Sequence, residues 1–429
     1  MRTSPFQRLW ELGLQRPLHD ALRAAWPASF SCGGLTASLH TIADPTAPRE
    51  QSRVAVFDGV VKARHRDRAA YLARLHEAQA GTLPLGLAPS CSNVAVPASE
   101  GQQTGQGPKS SYRHDPLLGT VADRLLDRLE DCVKTFPKAA IIGGAALQVL
   151  DRLAGGRAGI QSATVLDTSP DMLQLVQDLA AAQRQQVGSG AKAWPAVSTQ
   201  LMDPSLEVLP VEPHSFDVVI SCLGLHWIND LPLVMAQCRF ALVPDGLFLS
   251  AMFGGDTLQE LRIACSVAHI ERAGGVTPVV SPFAQVRDGG NLLTRAGLAL
   301  PAVDQDDFVV RYAAGPAEVV DHLRAMGESN AVQQRQRYLG KDVPLAAAAA
   351  YSNMFGSEVD GSVQATYQVM YLAGWSPHEA QQRPAKRGSA TVSFQELATG
   401  LVDSGKATGG STGEAEDSGG GEGSGVAPR

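Results

Sequence analysis

Gly143, Gly144, Asp167, Asp203, His226 and Trp227 are the residues of this chain whose types and spacing could do chemistry. Gly143 and Gly144 follow a short apolar run. Glycine there lets the backbone approach a ligand, and the helix start behind it offers free N–H groups. The same pair also suits an ordinary tight strand-to-helix turn. Asp167 ends a second apolar run, where a carboxylate can accept both hydroxyls of a ribose. It can equally serve, with Thr168 and Ser169, to cap the helix that Pro170 opens. Asp203 follows a third run, placed to take a hydrogen bond from an adenine amino group or to form an Asp-Pro turn with Pro204. His226 and Trp227 occupy a polar, aromatic turn after a fourth run. As catalytic candidates they would pack on a cofactor or bind substrate. Alternatively, Trp227 closes the edge of the core and His226 caps the helix at Asn229 and Asp230.

These positions have meaning only if strand tips hold them together. The stretch 216–255 reads as an apolar strand (216–221), a turn, a helix, the turn Pro244-Asp245-Gly246 and a second strand (247–253). Strand, helix and strand joined by short turns form a βαβ unit of a parallel sheet. Upstream, 138–143, 162–167 and 196–201 read as strands, and 145–153 and 170–182 as helices. Asp115-Pro116 is a helix start, followed by an apolar stripe at Leu117, Val121, Leu125, Leu129 and Val133. Asp256 to Gln259 has the form of a capping box opening a helix to Ala273. Beyond it, 308–312 reads as a strand, and 316–326 and 345–354 as helices. Alternating strands and helices predict a doubly wound, mostly parallel α/β sheet, whose ligands lie at the carboxyl ends of its strands.

Gly143, Gly144, Asp167 and Asp203 fall at successive strand ends of that sheet, which suits an adenosine-bearing cofactor. No GxGxxG motif offers a glycine path for a pyrophosphate. S-adenosylmethionine, which has no phosphate, needs none. His65-Arg66-Asp67 has the HxD spacing of an iron-binding facial triad, but no distal histidine completes it, so no metal site is expected.

The chain has 429 residues and is 44% hydrophobic, enough for a large core. Its net charge of −7 comes without a block of like charge, so nothing marks it for nucleic acid. It has no run of about 18 apolar residues that could span a bilayer. Six scattered cysteines without a CxxC pair read as reduced thiols rather than a disulfide framework.

Residues 1–43 are Arg-bearing, acid-poor and amphipathic, which fits an organelle transit segment, an ordinary amphipathic helix or a disordered leader. Residues 54–80 form a basic helical segment. Residues 81–113, rich in Gly, Pro, Ser and Gln, read as a disordered insertion. Residues 114–400 form the main domain with helical additions. Residues 404–429 are almost free of bulky apolar groups and read as a disordered tail.

The order strand–glycine turn, strand–Asp167, Asp203, Phe216-Asp217-Val218-Val219 and Leu242-Val243-Pro244-Asp245-Gly246 resembles class I S-adenosylmethionine-dependent methyltransferases, with their seven-stranded sheet. Longer words sharpen the likeness: Leu225 to Pro232 (LHWINDLP), Ala251 to Leu261 (AMFGGDTLQEL), Met326 to Asn330 (MGESN) and Arg387 to Leu397 (RGSATVSFQEL). These look like the mitochondrial NADH:ubiquinone oxidoreductase (complex I) assembly factor 5 family. The resemblance implies a protein of the mitochondrial matrix, peripheral to the inner membrane. It implies hydroxylation of an arginine on an iron–sulfur subunit in early assembly intermediates of complex I. It also implies S-adenosylmethionine held by Gly143, Gly144, Asp167 and Asp203. The chain departs from the family's D-x-G-C-G-x-G turn, having Ile141-Ile142-Gly143-Gly144-Ala145-Ala146-Leu147. The missing acid removes a partner of the cofactor's amino end, and Leu147 is expected to crowd it. Two other readings stay open. One is a methyltransferase like the malonyl-carrier carboxyl methyltransferases; the other is a non-catalytic assembly chaperone.

Overall fold

The computed structural model describes residues 55–83, 112–186, 192–336, 338 and 340–382. The transit segment expected at 1–43, most of the insertion at 81–113, the 387–397 word and the tail at 404–429 lie outside the described residues. The chain divides into two units, Met1–Glu379 and Ala380–Arg429.

Seven strands make one sheet in the order β3-β2-β1-β4-β5-β7-β6. They are β1 (Lys138–Ile142), β2 (Ser162–Asp167), β3 (Ala196–Leu201), β4 (Phe216–Cys222), β5 (Leu242–Phe253), β6 (Ala299–Tyr312) and β7 (Val363–Trp375). β1 to β5 run parallel; β7 is antiparallel to both β5 and β6. The central strands are buried on both faces, as helices must cover both sides of a parallel sheet. Ile141 and Ile142 accordingly fall in two separate core clusters, one per face. β6, at an edge, mostly alternates exposed and half-buried residues.

α1 (Gly59–Gln79), α2 (Pro116–Glu130), α3 (Ala146–Leu153) and α4 (Pro170–Gln186) bury residues in the cluster that holds Ile141. α5 (Leu231–Ala241) and α7 (Val286–Arg295) bury theirs in the cluster of Ile142. Between them in sequence comes α6 (Gln259–Ala273), then α8 (Pro316–Met326) and α9 (Asp342–Phe355). The strand order reverses between β1 and β4, and a crevice opens there at the strand tips.

Several local expectations hold. Asp115 caps α2 through Leu117 N–H and Leu118 N–H, with Pro116 in the first turn. Others change. The apolar stripe stops at Leu129, because α2 ends at Glu130 and Val133 is fully exposed. Pro244-Asp245-Gly246 is an irregularity inside β5, not a turn before it. The pairing jumps from Phe216 opposite Leu242 to Val218 opposite Leu247, with Asp245 at φ +60°. No capping box forms at 256–259. Leu258 takes φ +55°, while Asp256 and Thr257 bond Gln368 of β7 instead. β6 is longer than 308–312, and β7 had no counterpart in the sequence reading.

The basic segment 54–80 is no separate piece, for α1 packs on α4 and α8. Nor does the insertion reach residue 113. Tyr112 opens a short 3-10 turn, Tyr112–His114, and is buried.

Candidate functional site

The β1–β4 crevice is a pocket of about 730 Å³ counting its open mouth, and its walls include Gly143, Gly144, Asp167, Asp203 and Trp227. Strand tips from β1, β2, β3 and β4 thus do converge. Ile142, Met202 and Leu209 add apolar wall.

The two glycines differ in what they do. Both have φ +53°. A Cβ on Gly144 would sit 1.9 Å from the Cys222 carbonyl oxygen, so this glycine exists to let the β1 and β4 tips meet. A Cβ on Gly143 would find only Gly224 Cα, at 3.7 Å, and its backbone faces the pocket. Leu147 does not crowd the site. It is fully buried in the main core and is not part of the pocket wall.

Asp167 sits where the sequence placed it, but its carboxylate already has a partner. Arg66 of α1 reaches across, its Nε 3.0 Å from both carboxylate oxygens and its Nη2 bonded to Oδ2 as well. The same Nη2 donates to the Gly144 carbonyl at 3.0 Å, and the Tyr112 hydroxyl donates to that carbonyl at 2.6 Å. Ser169 N–H donates to Asp167 Oδ1. Arg66 is 4% exposed and Asp167 not at all. Burial alone would lower the Arg66 guanidinium, but Asp167 more than offsets this and keeps it charged. Asp203 is exposed, and its Oδ1 accepts from Ser205 N–H, the turn contact that Asp-Pro suggested.

His226 is not part of the pocket wall. It is buried behind it, edge-on to Phe253 and Phe283, with Nε2 3.0 Å from Glu328 Oε2. Neither residue caps the helix; that role falls to Asp230, which accepts from Leu233 N–H. Trp227 lines the pocket and also closes core. Its Nε1 donates to Glu328 Oε2 at 2.6 Å, and its ring packs on Phe57. Lys62, one helical turn before Arg66, completes the cluster. Its Nζ lies 2.8 Å from Glu328 Oε1, 2.7 Å from the Gly327 carbonyl and 4.3 Å from the centre of the Trp227 ring. Burial pulls Lys62 down to about 8 against the pull of Glu328. Burial would raise Glu328, but Lys62 and His226 together hold it at about 2. Burial lowers His226 below its usual 6.5, against the pull of Glu328.

Sequence reasoning therefore missed Lys62, Arg66 and Glu328. Two signals pointed their way. Lys62 and Arg66 stand at i and i+4, one face of a helix, and Glu328 lies in the MGESN word. Within the HxD spacing, Asp67 accepts from Ser169 Oγ, and the residue that reaches the site is the arginine between His65 and Asp67. Among the described residues no group of three His, Cys, Asp or Glu could hold a metal ion.

The site can be tested against S-adenosylmethionine. An adenine has apolar wall and Asp203 at the mouth. A ribose diol needs a carboxylate with lone pairs to offer, and those of Asp167 are taken by Arg66 and Ser169 N–H. The ribose end does not fit.

A methyltransferase-domain family model matches residues 142–250. The chain is 43% identical over 291 residues to the arginine-hydroxylase NDUFAF5, mitochondrial, of Homo sapiens, covering 66% of this chain and 77% of that one. Its identity to the Danio rerio protein of the same name is 40% over 287 residues, covering 67% and 83%. A malonyl-[acyl-carrier protein] O-methyltransferase of Halorhodospira halophila is 32% identical over 286 residues, covering 66% and 90%. The sheet order and the matched domain make this a class I methyltransferase fold. On that fold, with these identities over about two thirds of its length, the chain belongs to the arginine-hydroxylase NDUFAF5 family.

Proposed function

We propose that this chain hydroxylates an arginine on an iron–sulfur subunit during early assembly of respiratory complex I, in the mitochondrial matrix beside the inner membrane. The observation that carries the reading is its 43% identity to a human protein named as a mitochondrial arginine hydroxylase. The pocket offers Asp203, exposed at its mouth, as a carboxylate for a guanidinium; Glu207 beside it is already bonded to Asn229 and Asp230. In this reading the described residues bind the arginine, and the oxygen atom comes from an oxidant outside them. Mass spectrometry of the iron–sulfur subunit from cells lacking this chain tests the reading. The expected result is one arginine that lacks the mass of an oxygen atom. A full complement of oxygen on every arginine overturns it.

A second reading is methyl transfer from S-adenosylmethionine, favoured by the strand-tip position of the pocket and the Halorhodospira relative. In the same experiment it would show as a missing methylene mass. Arg66 on Asp167 speaks against it, and a chaperone without chemistry would leave both masses unchanged.

A further inference from the structure

We propose that Arg66 is a built-in occupant of the ribose place of this pocket, and that the chain therefore rejects S-adenosylmethionine. The inference rests on the crevice being the nucleoside pocket of the fold, not on which reaction the chain performs.

The guanidinium holds the two groups that a nucleoside ligand would engage. One is the Asp167 carboxylate at the β2 tip; the other is the backbone of the glycine turn, at the Gly144 carbonyl. Tyr112 adds its hydroxyl to that carbonyl and fills the flank. With Ser169 N–H on Oδ1, each Asp167 oxygen already accepts two contacts, so a diol must displace Arg66 to take them.

Arg66 is also poorly placed to step aside. It sits mid-way along α1, which buries Ala69, Ala70 and Ala73 in the core. One turn earlier on the same face, Lys62 is tied to Glu328 and Gly327. Swinging α1 outward would break two buried ion pairs together. Moving the Arg66 side chain alone would exchange a charged fork on a carboxylate for two neutral hydroxyls and strand a buried cation. Neither exchange favours the ribose.

Calorimetric titration of the full chain with S-adenosylmethionine, and separately with S-adenosylhomocysteine, tests this. The unmodified chain is expected to give no saturable heat with either. Arg66→Met, which keeps the length of the side chain without its charge, should gain saturable binding of both. Adding Asp167→Asn to Arg66→Met should remove the gain. Circular dichroism melting establishes that each variant is folded. If Arg66→Met does not fold, Arg66→Lys replaces it, since a single ammonium cannot reproduce the fork on Asp167 and Gly144 together. Saturable micromolar binding to the unmodified chain overturns the proposal without any variant. So does a folded Arg66 variant that gains no binding. The arginine mass measurement stands apart: a chain that ignores both ligands yet leaves its mark satisfies both proposals.

Discussion

Lys62 and Glu328 lie 266 positions apart in sequence, yet Nζ and Oε1 meet at 2.8 Å, tying the first described helix to the loop after α8. Side-chain exposures of 10% and 7% place the pair inside the protein. Removing one partner of such a pair strands a buried charge, at a cost of about 3–5 kcal/mol. Glu328→Gln should therefore lower stability by about that much in urea unfolding. Lys62→Met with Glu328→Gln should cost clearly less than the two single changes added together. Strict additivity would show the pair to be uncoupled.

Asp167 and Asp203 were alike in sequence, both acids at strand tips, and they should now part company. Asp167→Asn leaves Arg66 without its counter-charge and should cost about 3–5 kcal/mol. Asp203→Asn keeps an oxygen for Ser205 N–H on an exposed turn and should stay within about 0.5 kcal/mol. Chemical denaturation of the two variants side by side is the check.

The glycine turn offers a similar contrast. Gly144→Ala drives a methyl into the Cys222 carbonyl at 1.9 Å and should prevent a soluble native fold. Gly143→Ala meets nothing closer than 3.7 Å, leaving the strain of φ +53°, about 1–2 kcal/mol. Soluble yield and melting temperature separate them. Equal damage would mean that the β1 and β4 tips do not approach as described.

Acid should unfold the protein in two overlapping stages. His65 falls to about 4 through burial and the nearness of Lys62, against a usual 6.5, and burial also lowers His226. Below pH 6.5 the unfolded chain takes protons that the folded one refuses, so stability declines toward pH 4. Glu328, held at about 2 against a usual 4.5, contributes fully above pH 4.5 and loses its contribution as pH falls toward 2. Denaturant midpoints across pH 7 to 3 should fall throughout, and His65→Leu should make the decline between pH 6.5 and 4 shallower. A flat midpoint above pH 4.5 would contradict the burial of both histidines.

Much of this architecture was legible because it is written locally. β2, β3 and α8 begin and end where apolar runs, acids and Pro316 said they would. The parallel order followed from strand–helix alternation, and with it the meeting of Gly143, Gly144, Asp167 and Asp203. What was not legible depended on distant partners. Arg66 reads as one more basic residue until Asp167, 101 positions away, is set against it. β7 is buried on nearly every residue, so it lacks the two-residue alternation that marks a strand with one wet face. His226 and Trp227 are neighbours in sequence, but only the 3-10 turn at Leu225–Trp227 decides which one looks into the pocket. Leu147, expected beside the cofactor's amino end, is rotated by α3 into the core instead.

Phe57 bridges to Val332, its N–H and that of Val56 both reach Asn229 Oδ1, and its ring supports Trp227. Any proteolytic trimming from the amino end must accordingly stop short of Val56. A cut a few residues deeper would release the strap that holds the indole in place, and the cavity would lose a wall although every catalytic candidate was still on the chain.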